Sequence, residues 1–166
     1  MNAWRIGGGS LSLDTPRIMG ILNITPDSFS DGGQHNTPQA AVARAQAMVA
    51  QGADLIDIGA QSTRPGASPL SAEEEWARLA PVLPAVRAAV AVPLSVDTFH
   101  PAVAERALAV GANIINDVSG GLENGMAAVA AAHHAGMIFM RPGDASRRDT
   151  PAEVVLAEAT AYFTRA

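Results

Sequence analysis

A repeated phrase limits what this chain can fold into more than any other feature. Gly52-Ala53-Asp54-Leu55-Ile56-Asp57 is echoed by Gly111-Ala112-Asn113-Ile114-Ile115-Asn116, and Gly136-Met137-Ile138-Phe139-Met140 is a looser third copy. Each copy follows an alanine-rich stretch with helical spacing and runs into a short apolar segment. A left-handed cap after a helix costs glycine least, so each copy reads as helix, glycine stop, buried strand. Repetition of that phrase is what a parallel β/α architecture requires. Strands are expected at residues 18–24, 55–58, 93–96, 114–116 and 137–140. Helices are expected at about residues 38–51, 71–91, 101–110, 124–135 and 151–165. Thr37 before Pro38, and Ser71 before Glu73-Glu74-Glu75, suit helix N-termini. Residues 4–13, with Gly7-Gly8-Gly9 between apolar stretches, read as a hairpin ahead of the main fold.

Composition narrows the function classes. The chain has 166 residues, 48% of them hydrophobic, enough for one core and a single domain over residues 1–166, with residues 1–14 as its hairpin. It has no cysteine, which excludes disulfides, thiolate chemistry and cysteine-held metals, and makes a reducing cytoplasm the expected compartment. No apolar run approaches a signal peptide or a membrane span. The net charge of −5 is spread without blocks, so no nucleic-acid footprint is expected. All eleven basic residues are arginine, and a mechanism needing a lysine ammonium cannot be completed by this chain alone.

The polar residues fall at a recurrent place. Asn23, Asp57, Asp97 and Asn116 are each expected to end an apolar strand and begin a loop. In a (β/α) barrel those positions converge on one rim, where active sites are built. Such residues also start turns and cap helices, so each alone means little. The loop after the first strand, with Asp27, Phe29 and Asp31, has the composition of a lid, or of a surface loop whose acids satisfy their own backbone. In the second, Arg64 between Thr63 and Pro65 offers a fork of donors suited to phosphate, although a lone loop arginine is more often simply solvated. Asp97 and Asn116, on neighbouring strand ends, can hydrogen-bond the donor-rich edge of a guanidine-like heterocycle.

At these residues a family resemblance emerges. Met19-Gly20-Ile21-Leu22-Asn23-Ile24-Thr25-Pro26-Asp27-Ser28-Phe29-Ser30-Asp31-Gly32-Gly33 resembles the first-loop signature of the dihydropteroate synthases, and Ser62-Thr63-Arg64-Pro65-Gly66 the second. Ser95-Val96-Asp97-Thr98 and Ile115-Asn116-Asp117 are similar to that family's pterin-contacting strand ends. The resemblance implies a TIM-type (β/α) barrel and the condensation of p-aminobenzoate with 6-hydroxymethyl-7,8-dihydropterin diphosphate in folate synthesis. It implies that Asp97 and Asn116 bind the pterin, and that Asn23 contacts the Mg²⁺ carried by the diphosphate. Asp31, Thr63 and Arg64 would serve catalysis, with Phe29 and Pro65 closing over the substrates. It also implies a sulfonamide target.

The chain departs from the family pattern at Gln61, usually glutamate, at His100, usually lysine or arginine, and in a fifth strand without a Met-His-Met element. A complete barrel takes about 250 residues, so about five of eight β/α units are expected here, without the later aspartate, Ser-Arg-Lys and Arg-x-His motifs. The two sheet edges so left should be covered by assembly, with a homodimer expected. Two other readings are a non-catalytic pterin-binding remnant or interaction module joining another chain, and a related pterin-barrel methyltransferase. Phe29, Asp31 and Thr63-Arg64-Pro65 suit a diphosphate substrate and argue against the methyltransferase.

Overall fold

A computed structural model of the chain describes residues 2–24, 37–61, 69–120, 125–141 and 149–164. Strands β1 (Ala3–Ile6) and β2 (Gly9–Ser12) pair antiparallel as the expected hairpin, with Gly8 taking the left-handed turn position at φ +80°. Five strands then form one parallel sheet: β3 (Met19–Asn23), β4 (Leu55–Gly59), β5 (Leu94–Asp97), β6 (Ile114–Asp117) and β7 (Gly136–Phe139). Their spatial order is their order in sequence, so every crossover steps the same way around the sheet. That is the wall of a (β/α) barrel, whereas a doubly wound sheet reverses direction at a switch point. The fold is thus an incomplete barrel of five β/α units carrying an N-terminal hairpin.

The helices are α1 (Pro38–Ala50), α2 (Ala72–Leu79), α3 (Leu83–Ala89), α4 (Pro101–Ala109), α5 (Met126–His133) and α6 (Ala152–Phe163). The single helix expected over residues 71–91 is two. Pro81 has no N–H to donate and its ring would meet the carbonyl four residues back, so α2 ends there in a tight turn. Pro84 lies in the first turn of α3, where a missing donor costs nothing. None of the helices among the described residues is long and apolar enough to cross a membrane.

The repeated phrase acts as a repeated cap. Gly52 at φ +102° and Gly111 at φ +110° turn the chain left-handed, and Ala53 and Ala112 donate back to Met48 and Ala107, each at 3.0 Å. The third copy is displaced by two residues from the sequence alignment. His134, at φ 52°, takes the left-handed place after α5, and Ala135 closes the cap onto Ala130 at 2.9 Å. Gly136 is small for another reason: a Cβ there would lie 2.9 Å from Ile6 Cγ2 and 3.0 Å from Trp4 Cζ2, under the hairpin. The next residue of the phrase is reused as well. Asp54 accepts from the Ile18 N–H at 2.8 Å, and Asn113 from the Leu94 N–H at 3.0 Å, so each ties the start of a neighbouring strand.

The core lies between sheet and helices. Leu22, Ile56, Ile58, Leu94, Val96 and Ile115 are buried against small or branched residues of the helices, among them Ala45, Leu83, Val86, Ala104 and Ala107. Alternate residues face the other way, toward the barrel interior. There the hairpin plugs the N-terminal end, packing Ile6, Trp4 and Leu11 on Leu55 and Ile114. Gly7 and Asn113 lock it by paired bonds, Gly7 N to Asn113 O at 2.9 Å and Asn113 Nδ2 to Gly7 O at 2.6 Å. The polar strand ends lie at the other end, at the strand C-termini.

Candidate active site

Strand register sets the layout at the strand C-termini. Asn23, Gly59, Asp97, Asn116 and Ile138 form one row across all five parallel strands, on the face turned away from the helices. The row below it reads Ile21, Asp57, Ser95, Ile114 and Gly136. Adjacent strands stand about 4.8 Å apart, so side chains in a row reach their neighbours. The glycine shows how closely they converge. A Cβ on Gly59 would lie 3.3 Å from Asp97 Oδ2 and 3.6 Å from Asn23 Oδ1. Asn23 and Asp97 therefore lean over the same gap, left open by the one residue between them without a side chain.

Asn116 completes the group from the next strand in the same row. Its Nδ2 donates to Asp57 Oδ2 at 3.1 Å, which holds the amide in place. Asp57 does not end its strand as expected from sequence: it lies mid-strand, one layer down and 4% exposed, because β4 continues through Ile58 and Gly59. It supports the site from its floor. Ser95, opposite Asp57 in the register, is also buried, and Asp57 Oδ1 and Ser95 Oγ have no hydrogen-bond partner among the described residues. Gln61 Oε1 and Asp117 Oδ2 are buried and unpartnered in the same sense. Buried acceptors without donors are costly. A ligand or water carrying several N–H or O–H groups would satisfy the floor.

Carboxylates dominate the electrostatics. Burial, reinforced by the charges of Asp57, Glu75 and Asp117, pushes Asp97 up to about 7. Burial also raises Asp57, while the nearby Ser95 hydroxyl and the Asn116 amide pull it back. Glu75 is raised by burial too, against the Thr98 hydroxyl and His100. Such a cluster favours donors and positive charge. It does not amount to a metal cage: no group of three or more metal-binding His, Asp or Glu side chains occurs among the described residues. Asn23 supplies one hard oxygen beside Asp97, which suits a Mg²⁺ that keeps most of its ligands from water and phosphate.

The structure brings together Asn23, Asp97 and Asn116, as the sequence suggested. Asp31, Thr63, Arg64, Phe29 and Pro65 lie outside the described residues. Three further residues emerge. Gly59 is the gap, and nothing between Ile58 and Ala60 signalled it, because its polar neighbours Asn23 and Asp97 lie on adjacent strands. Glu75 was read as one of three helix-start acids. It is 1% exposed, because the 100° step of a helix places it on the stripe of Leu79, which faces the core. His100, noted from sequence only as a departure from lysine or arginine, is half-buried with Nε2 at 3.0 Å from Leu70 O.

Residues 19–165 match the family model described as pterin binding enzyme. The dihydropteroate synthase of Synechocystis is 50% identical over 124 residues, which cover 74% of this chain and 43% of that protein. Among solved structures, Xanthomonas albilineans dihydropteroate synthase with 4-aminobenzoic acid superposes with a TM-score of 0.85 at 42% identity, over 99% of this chain and 60% of that one. The Anaplasma phagocytophilum enzyme with bound 6-hydroxymethylpterin-monophosphate gives 0.76 at 43% identity, over 88% and 58%. The chain thus spans about half the length of the relatives it matches. With residues 19–165 matching the family model and polar strand ends gathered on one rim of a matching barrel wall, this chain belongs to the pterin binding enzyme family.

Proposed function

We propose that this chain provides the pterin-binding side of a dihydropteroate synthase site, joining p-aminobenzoate to 6-hydroxymethyl-7,8-dihydropterin diphosphate with release of pyrophosphate. The observation that carries the reading is the convergence of Asn23 Oδ1 and Asp97 Oδ2 over Gly59, beside an Asn116 amide held by Asp57. The Asp97 carboxylate accepts paired N–H bonds from the aminopyrimidinone edge of the ring, and Asn116 adds a donor and an acceptor. The ligands of the two solved relatives, an aminobenzoate and a hydroxymethylpterin phosphate, match the two halves of that reaction.

In the reaction the aniline nitrogen bonds to the exocyclic methylene carbon as the carbon–oxygen bond to the diphosphate breaks. Pyrophosphate leaves with the electron pair, and the nitrogen gives up its proton. Mg²⁺ bound with the diphosphate would supply countercharge for the leaving group, and Asn23 Oδ1, beside Asp97, would hold it. The acids around Asp97 favour a ring that becomes electron-poor as the bond breaks. Asp31 would stabilise that cation and Arg64 and Thr63 the anion, with Phe29 and Pro65 shielding the site from water.

A second reading, a pterin-binding module that turns over only in assembly with another chain or a second copy, is favoured by the sheet edge at β3, where Ile21 and the preceding Ile18 are 59% and 61% exposed. One experiment separates them: the purified chain, in the reducing cytoplasmic conditions its lack of cysteine suits, is titrated with the pterin diphosphate and Mg²⁺, then given p-aminobenzoate while pyrophosphate is measured. Binding with release supports the synthase, and binding without release supports the module. No binding contradicts both.

A further inference from the structure

The three acids that open α2 diverge. Glu74 closes the capping box with Ser71, and Glu73 takes Arg106 in a two-pronged pair at 2.7 and 2.9 Å. Glu75 turns inward. Its Oε2 accepts from the Thr98 hydroxyl at 2.9 Å, and His100 Nε2 stands 4.0 Å from the same oxygen. The Thr98 hydroxyl in turn accepts from the His100 backbone N–H at 3.1 Å, and the Thr98 N–H donates to the Asn116 carbonyl at 3.1 Å. Thr98 directly follows Asp97 and is 2% exposed. One buried carboxylate therefore holds the residue that joins the two ring-binding strand ends.

Docking of α2 gives no need for this charge. The capping box, the Arg106–Glu73 pair and the buried Leu79 already fix the helix, and Arg78 ties its far end to the Ala60 carbonyl at 3.0 Å. An apolar residue at position 75 would bury more cheaply, since a carboxylate loses hydration there. Its oxygen instead satisfies the Thr98 donor at the root of the site.

We propose that Glu75 is a positioning residue, setting the orientation of Asp97 and Asn116 through the Thr98 hydroxyl. The proposal rests on the reading that Asp97 and Asn116 hold the pterin ring, and its test separates the two.

The dissociation constant for 6-hydroxymethyl-7,8-dihydropterin diphosphate is measured by calorimetry on the purified chain, with the thermal unfolding midpoint recorded for each variant. Thr98→Val keeps the shape without the hydroxyl that serves both Glu75 and the His100 N–H, and Glu75→Leu removes only the carboxylate acceptor; each should weaken binding by about tenfold or more, the worth of a lost hydrogen bond. Thr98→Ser, which restores the hydroxyl, and Glu75→Gln, which keeps an acceptor oxygen, should bind close to the parent. The double variant Glu75→Leu/Thr98→Val should be no weaker than the worse single, because both remove the same bond. If Thr98→Val and Glu75→Leu lower only the unfolding midpoint, with binding unchanged well below it, Glu75 is structural glue and the proposal is overturned. Thr98→Ser binding as poorly as Thr98→Val overturns it too; because Thr98→Val also loses the acceptor for the His100 N–H, Glu75→Ala, which removes the Glu75 bond alone, stands in if Glu75→Leu does not fold, and its binding as well as the parent overturns the proposal. Asp97→Ala is the control. If it binds as well as the parent, the ring-binding reading fails; if it does not bind while Thr98→Val does, only the positioning proposal falls.

Discussion

Asp97→Asn should make this protein more stable at pH 8 while abolishing its grip on pterin. Burial and the charges of Asp57, Glu75 and Asp117 raise the Asp97 carboxyl from its ordinary 3.8 to about 7. The sign follows from linkage. An acid raised in the fold binds its proton more tightly folded than unfolded, so it costs nothing below pH 3.8. Its penalty grows as pH climbs from about 4 to about 7 and is constant above. At about 1.4 kcal/mol per pH unit, the rise bounds the penalty at about 4 kcal/mol. Water reaching the partly exposed carboxylate reduces this, and about 2 kcal/mol is the working value. An amide of the same shape carries no such cost. Urea unfolding of both proteins at pH 4, 6 and 8 measures it: the stabilisation by Asp97→Asn should be near zero at pH 4 and reach about 2 kcal/mol at pH 8. A difference that does not change with pH, or a variant less stable at pH 8, would refute the reasoning that its neighbours strain this carboxylate.

Other outcomes follow from single contacts. Gly59→Ala places a methyl 3.3 Å from Asp97 Oδ2 without backbone strain, so calorimetry should show pterin diphosphate binding weakened by about tenfold with stability within about 0.5 kcal/mol of the parent. Asn113→Ala strips the Leu94 N–H and the Gly7 carbonyl of their partner, which should cost about 2 kcal/mol in urea unfolding and redden the emission of Trp4 as the hairpin loosens. His134→Gly relieves a side chain held at φ 52° and should raise stability by about 1 kcal/mol, read from the thermal midpoint.

Much of the wall was legible because its signals are local. The left-handed glycines Gly52 and Gly111, the serine and threonine caps and the apolar runs each act within a few residues, and they place four of the five expected helices and all five parallel strands. The break at Pro81 was equally local, and the alanine spacing on either side masked it. Gly136 misled because a glycine before a strand serves either a cap or a close approach, and only the hairpin packed above it decides between them. The strand-end trio was readable because register carries Asn23, Asp97 and Asn116 into one row. Gly59 and Glu75 were not, since their meaning is the space beside them: one leaves a gap that neighbouring strands fill, and the other meets Thr98 across 23 residues of sequence.

The side-chain amide resonances of Asn23, Asn116 and Asn113 test the central claim within one sample. Residues of one type report both ends of the same sheet, since Asn113 lies under the hairpin at the opposite end. As 6-hydroxymethyl-7,8-dihydropterin diphosphate and Mg²⁺ are added, Asn23 and Asn116 should shift together along one binding curve while Asn113 stays fixed. Movement of Asn113 alone, or separate curves for Asn23 and Asn116, would contradict a shared grip at the strand C-termini.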